Sequence, residues 1–171
     1  PNAAGDAKRI GEILSRAGYR TVITETDLTY DKMRLALLAF RERAQNAEVA
    51  VVFYAGHGIQ ASGENYLIPT DAKLAREADA PLEAFSLNGI LDGIAPPVRG
   101  GGAPFRVVIL DACRTNTFAL TPPSGAARGA ARGLAPVGKR RDTIIAFSTA
   151  PNFVADDGSG QHSPYALALF K

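Results

Sequence analysis

Val49-Ala50-Val51-Val52-Phe53-Tyr54-Ala55-Gly56-His57-Gly58 is the stretch that decides the fold. Its first six residues are apolar without alternation. A strand of that kind leaves no face for water, so helices must cover it on both sides. It then runs into a histidine held between two glycines. A second stretch follows the same plan: Phe105 to Leu110 reads as a continuous buried strand, and Asp111-Ala112-Cys113-Arg114 comes next. Thr143 to Phe147 reads as a third.

Helical patterns fill the intervals. Ile10, Ile13, Leu14 and Ala17 recur at helical spacing from Asp6 to a stop at Gly18. Met33, Leu37, Phe40 and Ala44 mark one face of a second helix, capped by Asp27 or Thr29. Ser86 caps a third, with Leu87, Ile90, Leu91 and Ile94 inward and Pro96-Pro97 ending it. Ser163-Pro164 starts a last one. Tyr19 to Glu25 reads as a short strand. Ile59 to Pro69 reads as a hairpin turning at Ala61-Ser62-Gly63-Glu64. Strands alternating with helices give an α/β domain with a mostly parallel sheet.

Composition sets limits. The chain has 171 residues, 46% of them apolar, which suits one domain with a sizeable core. No run reaches 18 apolar residues, so no membrane span is expected. The chain opens at Pro1 rather than Met, and a preceding segment could carry a signal. A single cysteine forms no internal disulfide and builds no zinc cluster. Taken alone, it would be a small buried hydrophobe. The net charge of +2 is unevenly spread: residues 99–141 hold eight basic residues against one acid, a net of +7 against −5 elsewhere. Only Phe105 and Phe118 interleave those charges. A solvated loop over 114–141 is therefore expected, not a nucleic-acid surface.

Chemistry concentrates at two strand ends. In open parallel sheets, ligands bind beyond the carboxyl ends of the strands. His57 and Cys113 both stand there. A nucleophilic thiol needs a proton shuttle and donors for the oxyanion. His57 supplies the first, and the N–H groups of Gly58 and Cys113 supply the second. A structural histidine and an inert thiol are the alternatives for each residue taken singly.

The motifs resemble the caspase family. Asp111-Ala112-Cys113-Arg114 is similar to the caspase cysteine motif, with His57 lying 56 residues upstream. Asp27-Leu28-Thr29 is shared, although Thr26 replaces the usual asparagine before it. Phe147-Ser148-Thr149-Ala150-Pro151 resembles the strand beside which caspases lay their peptide substrate. Tyr54 to Gly58 and Asn65-Tyr66-Leu67-Ile68-Pro69-Thr70-Asp71-Ala72 look closest to the paracaspase and bacterial metacaspase-like (orthocaspase) branch. The resemblance runs from about Asp6 to Phe170. It implies a caspase-like three-layer sandwich over residues 1–171, with terminal strands of the fold missing and both ends trimmed.

The resemblance also implies a cysteine endopeptidase working through Cys113 and His57. Where caspases place Arg and Gln to hold an aspartate, this chain has Asp111 and, after a variable loop, Asp157, with Asp156 as the alternative. Asp6 resembles a pocket acid of metacaspases and paracaspases. Such a pocket favours Arg or Lys at the cleavage site. Helix capping remains the other reading of Asp6, and turn formation that of Asp111, Asp156 and Asp157. The backbone near Ser148 would pair with extended substrate. Asp111, two residues from Cys113 on a strand, should share its face and oppose thiolate formation until a basic substrate arrives.

Caspase relatives are often processed between the cysteine strand and the next. Residues 114–141 sit there, and Arg128, Arg132, Lys139, Arg140 and Arg141 would be self-cleavage sites; an uncut flexible loop is the alternative. The expected partners are proteins or peptides with Arg or Lys at the cut. No cofactor is expected, calcium dependence stays open, and the location expected is cytoplasmic. The rival reading is a catalytically silent caspase-fold scaffold. A flavodoxin-like ligand-binding domain is more distant, because no phosphate-binding loop follows the first strand.

Overall fold

The structure, a computed structural model, describes residues 2–95, 103–113, 134–150 and 160–171, with Cys113 described by its backbone alone. The element order is α1 (Ala3–Arg16), α2 (Tyr30–Ala44), β1 (Val49–Ala61), β2 (Glu64–Leu67), α3 (Ala80–Glu83), β3 (Phe85–Ser86), α4 (Leu87–Ile94), β4 (Phe105–Cys113), β5 (Thr143–Phe147) and α5 (Pro164–Leu169). One five-stranded sheet has the order β3-β2-β1-β4-β5. It is mixed. β1, β4 and β5 are parallel neighbours, while β2 and β3 join antiparallel.

The apolar runs form the strands expected of them, and β4 continues past Leu110 to Cys113. Val108, Leu110 and Ala112 alternate onto one face, where Met33 of α2 and Leu87, Leu91 and Ile94 of α4 complete the main core. Leu67, Leu87, Leu91 and Leu110 are fully buried, each stabilising by about 1.5–3 kcal/mol. Asp111 alternates to the opposite face, where its carboxylate meets Ser163 at the head of α5 and α1 packs beside it. Helices therefore cover both faces. The hairpin turns through Ser62 and Gly63, both at positive φ, the backbone a two-residue turn between twisted strands requires.

Two expectations are corrected. Tyr19–Glu25 is not a strand. The segment runs beside α1, so close that a Cβ on Gly11 would lie 2.3 Å from Thr24 Oγ1. β propensity makes a strand only where a neighbour takes up the backbone groups, and this segment pairs with none among the described residues. Helix α1 begins at Ala3, so Asp6 lies inside it and Asn2 holds the cap position. Capping is therefore not the role of Asp6.

Candidate active site

β1 and β4 run parallel with one constant offset from Val49↔Phe105 to His57↔Cys113. The 56 residues separating the histidine from the cysteine are that register. Adjacent strands lie about 4.8 Å apart, so the last rung makes neighbours of the two residues at the carboxyl end of the sheet. The side chain of Cys113 lies outside the described residues.

The backbone of His57 is fixed from behind while its residue stays exposed. Its carbonyl accepts from Ile68 N–H at 3.0 Å and from the Tyr54 hydroxyl at 2.8 Å. The same hydroxyl lies 3.1 Å from the Ile68 carbonyl. Burial pushes the Tyr54 pKa far up, which keeps this hydroxyl a donor. Gly56 leaves room for it: a Cβ there would sit 2.8 Å from Tyr54 Oη. Gly58 is confined less severely, since its Cβ would lie 3.2 Å from Leu134 Cδ2 and 3.4 Å from Ala112 Cβ.

Asp6 and Asp111 come together. Asp6 is 1% exposed and Asp111 5%. The Asp6 carboxylate lies 2.6 Å from His162 Nδ1 and accepts from Ser163 N–H at 3.2 Å. The Ser163 hydroxyl donates to Asp111 and accepts from Ala166 N–H at 2.9 Å, capping α5. One serine thus ties α1, β4 and α5 around two buried carboxylates. The pKa of Tyr165 is raised by burial and by the Asp111 charge.

Ser148 stands apart from this corner. Its N–H donates to the Leu110 carbonyl at 2.9 Å as β5 ends. It borders a small groove walled by Leu110, Ala112, Leu134 and Phe147. Leu110 and Ala112 face α2 and α4, whereas Asp6 and Asp111 meet beneath α1 and α5. β4 separates the two. Asp156, Asp157 and residues 114–133 of the expected loop lie outside the described residues.

Three residues were not singled out from sequence. His162 and Ser163 reach the acids only through tertiary folding; the sequence marks Ser163 as a helix start and nothing more. Asn65, 3% exposed, donates from Nδ2 to the Ala135 carbonyl at 2.8 Å and accepts Ala135 N–H on Oδ1 at 2.6 Å. It thereby fixes Leu134 against Gly58. The sequence carries no signal for Asn65, because both its burial and its partner arise only from tertiary folding.

Among the described residues no cluster of three or more His, Cys, Asp or Glu side chains is arranged to hold a metal ion. No helix among them is long and apolar enough to cross a membrane. No curated protein matches the chain in sequence. A family model of the caspase domain matches residues 1–171. With that match over its length, and with an α/β sheet that pairs the His57 and Cys113 positions, the chain belongs to the caspase-domain family of cysteine-type peptidases.

Proposed function

We propose that this chain is a peptidase domain of the bacterial paracaspase and metacaspase-like branch that cuts after Arg or Lys. The observation that carries the reading is the final β1–β4 rung, His57 opposite Cys113. In this scheme the Cys113 thiolate attacks the scissile carbonyl, forming the S–C bond. The N–H groups of Gly58 and Cys113 receive the oxyanion. His57 takes the thiol proton and delivers it to the leaving amine, and water then releases the acyl group. The substrate lies extended along Ser148–Ala150 and crosses the carboxyl end of β4. Its basic side chain is drawn to the buried pair Asp6 and Asp111, with Asp157 or Asp156 as a third acid.

The test is hydrolysis of matched fluorogenic peptides ending in Arg, Lys or Asp, with Cys113→Ala as the control. Arg and Lys peptides should turn over at least 100-fold faster than Asp peptides, and Cys113→Ala should abolish both. Equal turnover would remove the basic specificity. No turnover of any peptide would favour the silent scaffold.

Self-processing belongs to the same proposal. Arg140 is ion-paired to Asp92 and donates to Asn88 at 2.8 Å, and the Arg141 carbonyl accepts from Arg106 at 2.6 Å. Cutting there would require undocking this segment. Arg128 and Arg132 are therefore the proposed sites. Mass spectrometry of the active protein should find those termini, and Cys113→Ala should lack them.

A further inference from the structure

His162 lies against the acid that the proposed function assigns to substrate. Its Nδ1 is 2.6 Å from Asp6 Oδ1. A carboxylate only accepts, so in the neutral ring Nδ1 carries the proton. The ring is held in place on its other side. It meets the Phe170 ring edge-on, with centroids 5.0 Å apart, and Arg9 lies over Phe170 at 5.9 Å. The imidazole side chain is 30% exposed, while Asp6 beneath it is 1% exposed. Solvent thus reaches the histidine, and the histidine stands at the carboxylate.

We propose that His162 is a specificity-determining residue that competes, by its protonation, with the basic side chain of the substrate for Asp6. The inference rests on the pocket reading above. With a neutral ring, Asp6 and Asp111 confront the substrate with two negative charges. With a protonated ring, the imidazolium and Asp6 form a closed ion pair, and one charge is left. A guanidinium or ammonium then enters a pocket of halved charge. It must also displace or share a charge-assisted hydrogen bond.

Among the described side chains meeting at this corner His162 is the one imidazole, the side-chain type whose ordinary pKa lies between pH 5 and 8. α1 contributes Asp6, and Arg9, which is salt-bridged to Glu12 at 2.6 Å. β4 contributes Asp111. α5 contributes Tyr165, whose pKa is raised. Ordinary carboxylates, tyrosines and arginines hold one charge state across that interval. Binding of a cation and binding of the proton are then linked with equal and opposite effect: the ligand must weaken the histidine's hold on its proton by the factor the proton weakens the ligand.

The probe is n-propylguanidinium, a single cation that cannot be cleaved, titrated into the intact chain by NMR. Wild type should bind it about 10-fold more weakly at pH 5.5 than at pH 8.0. Saturating probe should lower the apparent pKa of the His162 ring by about one. His162→Asn keeps a donor for Asp6 but no titrating charge, and should bind with affinities within twofold at the two pH values. Equal wild-type affinity at both pH values, an unmoved His162 titration, or a His162→Asn slope matching wild type overturns the proposal while leaving the pocket intact. Absence of binding at either pH overturns the acidic pocket itself, and this role of His162 with it.

Discussion

Asn65 acts as a piece of backbone. Its amide offers one donor and one acceptor to Ala135, as a neighbouring strand would, and Leu134 is thereby set against Gly58. Asn65→Ala leaves both Ala135 groups unpartnered in a buried place, and should cost about 2–3 kcal/mol in denaturant unfolding. Asn65→Asp keeps the acceptor, loses the donor and sets a carboxylate against a carbonyl, so it should be no milder. An Asn65→Ala protein as stable as wild type would show that the clamp adds nothing. Single residues were legible where their role is local. The placing of His57, Gly58 and Cys113 at the ends of two strands could be read from the glycines and apolar runs around them. Asn65 and His162 could not, because their partners lie 70 and 156 residues away.

At the scale of elements, α5 shows why its first residue matters. Ser163 caps Ala166 N–H and donates to Asp111 with the same hydroxyl. Ser163→Ala should lower stability by about 2–3 kcal/mol, part from the lost cap and part from the buried carboxylate left short of a donor. Ser163→Thr retains the hydroxyl and should recover at least half of that, measured by thermal unfolding. Equal losses in the two variants would point to crowding and not to the hydrogen bonds. Elements whose signals are local came out of the sequence with nearly their observed bounds: α4, α5 and the hairpin each carry their own cap or turn residues, while α2 starts after Thr29 as expected but its Tyr30 N–H is taken by Asp71 and not by a local cap. β3 did not, because two residues become a strand only by lying beside Tyr66 and Leu67. Tyr19–Glu25 failed the opposite way, with strand-like residues and, among the described residues, no strand paired to it. The order of the sheet was legible only as a class. The hairpin announces the antiparallel β2, but nothing in β3 announces that the sheet continues antiparallel beyond it.

For the whole molecule, alkaline pH is the informative stress. Tyr54 is raised by burial, Tyr66 by burial and the charge of Glu64, and Tyr165 by burial and the charge of Asp111. The unfolded chain releases tyrosine protons near pH 10, whereas the folded chain keeps them. Above that pH the folded state binds more protons, so stability must fall as pH rises from about 10. Urea unfolding between pH 9 and 11 should show that decline. Tyr54→Phe should make it shallower, and an unchanged slope would mean another group drives it. Strand pairing has a different consequence. Arg106–Leu110 is hydrogen-bonded to strands on both sides, whereas among the described residues Asp111–Cys113 has β1 as its one strand neighbour. Amide exchange should be slowest up to Leu110 and quicken over the last three residues. The sheet therefore ends as a stiff beam with a compliant tip. The candidate nucleophile sits on the tip, where it can follow a carbonyl carbon from planar to tetrahedral without bending the beam.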